Sequence, residues 1–176
     1  SRYFLNIASL GLGAAVHKKV KRLPEGIPAG LSYYSSIMAT LLHYRNTPVS
    51  YKTRDSHWTG KAQLLAVANG CCFGNGTWIA PKAQLDDGCF QVVCIGDVSL
   101  RDYLKHLPEL NKGEEIDDPR ISYEKSDFVE IDAMEGRMGL EADGEFLGYA
   151  PARFEVVPGA VRLHLRGMDQ MLRHPD

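Results

Sequence analysis

Nothing in this sequence approaches the ~20 consecutive apolar residues that a membrane-spanning helix needs, which excludes that kind of span and leaves surface contact with a membrane open. Charge of one sign is also lacking. The 22 acids stand against 20 bases, for a formal net charge of −2, so there is no broad basic field to attract nucleic acid. A local basic run does occur, His17-Lys18-Lys19-Val20-Lys21-Arg22. The 4 cysteines, Cys71, Cys72, Cys89 and Cys94, lack C-x-x-C zinc spacing and are expected to be buried free thiols in a reducing compartment. On that expectation the Asn75-Gly76-Thr77 glycosylation triplet is a chance match. The 6 histidines are scattered, with no pair at ligand spacing. No serine sits in a G-x-S-x-G elbow, and no G-x-x-x-x-G-K-[ST] phosphate loop is present.

What remains is a chain of 176 residues, 44% hydrophobic, long enough for one domain with a sizeable core. Its start, "SRYFLNIASLGLGAAV", lacks signal-peptide layout and reads as a strand entered in mid-protein. "YFLNIASL" predicts a buried strand, and "GLGAAVHKKVKR" a turn leading into a short helix with a basic last turn. "LSYYSSIMATLLHYR" predicts a helix over 31–45, with Leu31, Tyr34, Met38, Leu41 and Leu42 on one face and Thr47-Pro48 as its stop. "KAQLLAVANG" has the long apolar run of a central strand. Ser99 and Asp102 predict a cap on the helix "LRDYLKHL", and "GEEIDDP" an acidic surface loop. "DFVEIDAM", "RMGLEAD", "EFLGYAP", "RFEVVP" and "AVRLHLR" follow as closely spaced short strands. The expected fold is mainly β with helical decoration: an antiparallel β-sandwich or barrel over 1–167, then a polar tail over 168–176.

Two stretches could carry chemistry. In "LEADGEFLGYAP", Asp-Gly between alternating strands predicts a tight hairpin turn. Strand alternation would put Glu141, Asp143 and Glu145 on one face, where they are either solvated acids of an ordinary turn or groups that bind a cation or accept a proton. In "NGCCFGNGTWIAPKAQLDDGCF", dense glycines let backbone approach a ligand closely or form a bulge, and Asp86 with Asp87 forms a candidate hard-cation site beside turn carbonyls. The G-x-G of "GLGAAV" lacks the third glycine of a dinucleotide fingerprint and is a weak phosphate cradle.

Three segments in this order, "FLNIASLGLGA", "FGNGTWIAPKAQLDDGCFQVV" and "GLEADGEFLGYAPARFEVVPGAVRLHL", resemble the C-terminal domain of diacylglycerol-kinase-like lipid kinases. That group takes in bacterial diacylglycerol and phosphatidylglycerol-type kinases, sphingosine and ceramide kinases and, more distantly, NAD kinases. The resemblance implies the second, β-sandwich domain of a two-domain enzyme that transfers the γ-phosphate of ATP to a lipid hydroxyl with Mg²⁺. Asp143 and Glu145 match the family's "DGE" acids, one of which accepts the proton. Asp87 matches its Mg²⁺ ligand, and the backbone carbonyls of Gln84 and Cys89 its other ligands. Glu141 matches no family role and is expected to be solvated.

The family's "GGDGT" phosphate loop is absent from this chain. The expectation is therefore a piece lacking the N-terminal nucleotide-binding domain that holds most of the ATP, and inactive alone. Implied partners are the lipid substrate, ATP and that domain, without nucleic acid; exposed strand edges would favour a homodimer. The implied location is cytoplasmic, peripheral to a membrane. Two rival readings stand beside this one. In the first, a lipid- or partner-binding sandwich module without chemistry uses the helix 31–45 to line a pocket. The second is an NAD-kinase relative, disfavoured by the "APxAxxxDG" and "DGE" elements. The residue types do not choose among diacylglycerol, a sphingoid base and phosphatidylglycerol as acceptor.

Overall fold

The computed structural model describes residues 1–20, 29–73 and 76–162. In chain order the elements are β1 (Ile7–Gly11), α1 (Leu12–Val20), α2 (Ala29–Leu41), β2 (Thr47–Lys52), β3 (His57–Ala62), β4 (Leu64–Ala68), β5 (Phe90–Ile95), α3 (Leu100–Lys105), α4 (Leu107–Lys112), β6 (Ile121–Ser126), β7 (Phe128–Ala133), β8 (Gly139–Ala142), β9 (Glu145–Tyr149) and β10 (Ala152–Glu155). They form two antiparallel sheets, one of six strands in the order β6-β5-β4-β1-β8-β9 and one of four in the order β10-β7-β2-β3. The architecture is the expected one, mainly β and sandwich-like.

The layering follows from the apolar patterns. In β1 and β4 every residue is buried, because the six-stranded sheet is covered on both faces. One face meets the smaller sheet: Ala8, Leu10, Leu65, Val67 and Val92 pack against Val49, Tyr51, Val129 and Ile131. The opposite face meets helices: Leu64, Ala66 and Val93 pack with Leu12, Val16, Ile37 and Leu110. Leu65 is fully buried, and truncating such a side chain to alanine costs about 2–5 kcal/mol. Tyr51 ties the layers together at their edge, its hydroxyl donating to Glu124 of β6 at 2.7 Å.

Several expectations change. "KAQLLAVANG" is not one strand, since the chain leaves the smaller sheet after Ala62 and enters the larger at Leu64. Gln63 makes that crossing, buried, with its side-chain amide donating to the Val98 carbonyl at 3.0 Å. The helix expected over 31–45 runs instead as α2. Ser99 and Asp102 form the predicted capping box on α3, but a second helix, α4, follows from Leu107. "ISYEKS", read as no element, is β6. Of the thiols only Cys94 is buried, which pushes it up to about 12; Cys71, Cys72 and Cys89 are half-buried. The tail over 168–176, most of "AVRLHLR", Lys21, Arg22 and Asn75 lie outside the described residues.

Candidate functional site

The β8–β9 hairpin closes on Asp143 and Gly144, at φ 46° and 78°, the positive-φ pair that a two-residue type I′ turn requires. Asp143 is the one described non-glycine residue with positive φ, a conformation aspartate tolerates better than most. Tertiary hydrogen bonds hold it there. Its carboxylate accepts from the backbone amides of Leu5 (2.7 Å), Asn6 (3.0 Å) and Ile7 (3.1 Å), and its own amide donates to the Ile7 carbonyl at 3.0 Å. A carboxylate offers about four acceptor positions, so these three donors fix its direction and leave room for roughly one more.

The segment supplying those amides is itself fastened. The Asn6 carbonyl accepts from the amides of Asn69 and Gly70, both at 2.9 Å. The Asn69 side chain donates to the Leu5 carbonyl at 2.7 Å, and that of Asn6 to the Cys72 carbonyl at 3.0 Å. A Cβ on Gly70 would stand 2.1 Å from Asn6 Oδ1, so this glycine permits the close approach of two segments of the same chain.

Glu141, Asp143 and Glu145 do not share a face. The two-residue turn pairs Glu145 with Ala142, on the opposite face of the ladder from Glu141, and leaves Asp143 at the tip. Glu145 opens β9, paired through its backbone with Ala142, and its exposed carboxylate makes no hydrogen bond or ion pair among the described residues. Glu141, expected to be solvated, is instead 5% exposed. It accepts from Ser9 Oγ at 2.6 Å and from the Gly144 amide at 3.1 Å. Burial pushes its carboxyl up; those two hydrogen bonds oppose the shift, and nearby Asp143 adds to it.

Beside the turn lies a cavity of about 590 Å³ between the six-stranded sheet and the helices. Its walls are apolar, with Leu12 and Val16 from α1, Ile37 and Leu41 from α2, Leu64 and Leu110. Asn6, Glu141, Asp143 and Gly144 also line it. Asp143 is shared with a second, smaller pocket of about 250 Å³, which Arg2, Tyr3 and Glu145 also line. Asp143 therefore faces both spaces, and Glu145 only the smaller.

Neither Asp87, Gln84 nor Cys89 lines either space. Asp87 sits in a turn closed by Gly88 at φ 72°. Its Oδ1 accepts from the Cys89 amide at 3.0 Å and its Oδ2 from Lys125 Nζ at 2.8 Å. Slight burial works against ionisation, but the Lys125 ammonium and the Cys89 amide prevail and hold the carboxyl below its usual range. Gln84 is exposed and Cys89 half-buried. Among the described residues no group of three or more His, Cys, Asp and Glu side chains is arranged to hold a metal ion. The oxygen donors at this turn suit a hard cation, and any such ion would exchange with the Lys125 ammonium.

Two stretches take on roles that were not legible in the sequence. The "GLGAAV" glycines are packing residues: a Cβ on Gly11 (φ 90°) would lie 2.5 Å from the Gln63 carbonyl oxygen, and one on Gly13 would lie 2.1 Å from Ser9 Oγ. The acidic stretch "GEEIDDP" is also more than a solvated loop. Glu115 pairs with Lys82, and Asp118, its side chain 8% exposed, pairs with Arg120 at 2.6 Å. Arg120 also reaches Asp102 at 3.0 Å, while His106 Nε2 approaches Asp118 at 3.4 Å. The signal available in sequence was an arginine two residues after the acid.

Residues 6–165 match the family described as the YegS C-terminal NAD kinase beta sandwich-like domain. The chain belongs to that family. A Pseudomonas aeruginosa relative named "Probable lipid kinase YegS-like" is 27% identical over 174 residues, 99% of this chain and 57% of that protein. Diacylglycerol kinase of Staphylococcus carnosus is 30% identical over 155 residues, 88% of this chain and 50% of that protein. The crystal structure of a diacylglycerol kinase from Bacillus anthracis superposes with a TM-score of 0.58 at 17% identity, over 89% of this chain and 47% of that one. At that identity the likeness bears on fold alone. The YegS-type domain described here spans about half the length of the curated relatives it matches.

Proposed function

We propose that this domain is the acceptor-binding half of an ATP- and Mg²⁺-dependent lipid kinase, acting on a long-chain lipid that bears a hydroxyl group. The observation that carries the reading is the pairing of an apolar cavity of about 590 Å³ with a carboxylate, that of Asp143, whose direction three backbone amides fix. The names of the relatives, lipid kinase and diacylglycerol kinase, support it.

Acyl chains occupy the cavity and the hydroxyl lies at its Asp143 end. The hydroxyl oxygen attacks the γ-phosphorus of ATP, the bond from that phosphorus to the bridging oxygen breaks to release ADP, and the hydroxyl proton passes to a carboxylate. Of the two "DGE" acids, Asp143 is the better placed, since it lines both the cavity and the adjoining pocket. Glu145 lines only the smaller pocket. When bound, Mg²⁺ neutralises charge on the transferring phosphoryl group. A further ion would be held by Asp87 with the carbonyls of Gln84 and Cys89, in exchange for Lys125. A nucleotide-binding partner domain supplies most contacts to ATP, and the protein meets its substrate at a membrane surface; among the described residues no helix is long and apolar enough to cross one.

The test is to incubate the full-length protein with ATP, Mg²⁺ and a panel of diacylglycerol, sphingoid base and phosphatidylglycerol, measuring lipid phosphate. At least one is expected to be phosphorylated, and the 176-residue chain alone is expected to phosphorylate none. Failure of the full-length protein on every long-chain alcohol would overturn the reading.

A further inference from the structure

We propose that Glu141 is a positioning residue for the proton-accepting turn: its carboxyl group ties Ser9 of β1 to the amide of Gly144 and thereby sets where the Asp143 carboxylate points. In its catalytic consequence this rests on the function proposed above; in its structural part it does not.

Ser9 and Glu141 are register partners across the β1–β8 ladder, so their side chains meet directly. Ser9 is fully buried, and its hydroxyl donates to Glu141 Oε1 at 2.6 Å. Gly13 of α1 makes this pair possible, since a Cβ there would fall 2.1 Å from Ser9 Oγ. The other carboxyl oxygen, Oε2, accepts from the Gly144 amide at 3.1 Å, in the residue that follows Asp143. The turn is thus anchored to β1 at two levels, at Ile7 through Asp143 and at Ser9 through Glu141. A buried carboxyl is a costly way to fill space, and a neutral side chain would fill it without that cost. Two opposed contacts, one to each neighbouring element, account for its use here. Register, burial and both hydrogen bonds place Glu141 beside the reacting end of the cavity without requiring it to touch substrate.

The test uses Glu141→Ala, Glu141→Gln and Ser9→Ala. In the 176-residue chain, Glu141→Ala is expected to speed amide hydrogen exchange at Leu5, Asn6, Ile7 and Gly144 by at least tenfold, leaving the β4 amides unchanged. Glu141→Gln, whose carboxamide can still accept from Gly144 and donate to Ser9, should stay within threefold. If Glu141→Ala does not fold, Ser9→Ala is expected to give the same exchange pattern at about half the logarithmic size. In the full-length protein, Glu141→Ala should lower kcat for the lipid acceptor at least tenfold with lipid KM within threefold, and Glu141→Gln should restore most of it.

Unchanged exchange at those four amides would overturn the proposal. So would an effect confined to lipid KM, which would make Glu141 a lipid contact, or a Glu141→Gln variant as impaired as Glu141→Ala. A wild-type protein with no lipid kinase activity would instead sink the proposed function, while the exchange pattern would still decide the positioning role.

Discussion

Asp143 and Ile7 hold each other twice: the Asp143 amide donates to the Ile7 carbonyl at 3.0 Å, and the Ile7 amide donates to the Asp143 carboxylate at 3.1 Å. Both bonds run between the tip of one hairpin and the first residue of a central strand, far apart in sequence. A side chain at a hairpin tip is ordinarily free to move, and this one is fixed to the buried sheet.

That fixation depends on the turn keeping its positive φ. Gly144 sits at φ 78°, and a Cβ there would meet nothing nearer than His17 Cε1 at 3.7 Å, so the obstacle to a side chain is backbone strain. Gly144→Ala is expected to destabilise the domain by about 1–2 kcal/mol. Urea unfolding measures this, and an unchanged midpoint would contradict it.

The cavity makes a second prediction. Val16 is buried on α1 and lines it, so Val16→Trp adds bulk into existing empty space. Retention of long-chain lipid by the purified protein, read by native mass spectrometry, should fall at least tenfold. Equal retention would show that lipid sits elsewhere.

At the Asp87 turn, the Lys125 ammonium occupies a carboxylate oxygen that the proposed cation would need. Lys125→Met should tighten Mn²⁺ binding several-fold by calorimetry, and Asp87→Asn should abolish it. Indifference of Mn²⁺ binding to both changes would remove Asp87 from the proposed cation site.

The acids around Arg120 give a pH signature. The guanidinium beside them, helped by Ser99 at Asp102 and by the Arg120 amide at Asp118, holds both carboxyls well below the usual range of 3.8. A depressed folded value favours the folded state above the unfolded value, and that contribution is lost as pH falls. Wild type should therefore be more stable than Arg120→Met at pH 7, and the gap in Tm should close as pH drops below about 4. Glu141 acts in the opposite sense. Its carboxyl is raised above 4.5, so its contribution is full below that value and fades as pH rises through the folded one. A Tm gap independent of pH would contradict the Arg120 assignment.

What could be read from the sequence was what local chemistry decides. Asp143-Gly144 announced its turn because few residue pairs supply two positive φ angles cheaply. Ser99 with Asp102 announced its cap, and the apolar run at Leu64–Ala68 its burial on both faces. The failures came where distant parts of the chain decide. Glu141 obeys alternation, but the sheet face it points to is covered by α1 and not by water, and the hydroxyl of Ser9, 132 residues away, meets it there. Gly11 and Gly13 made only a weak phosphate cradle in sequence, and their packing role, a small size used by Gln63 and Ser9, was not legible there. The family resemblance pointed to Asp143 and Glu145 together; only the geometry separates an acid at the shared wall of two spaces from one facing the smaller alone.

The most direct measurement is phosphate transfer from ATP to a long-chain lipid alcohol by the full-length protein carrying Asp143→Asn, with unfolding curves run alongside. The account predicts a loss in kcat of about 10²–10⁴-fold in a protein that remains folded. Turnover within threefold of wild type would contradict it.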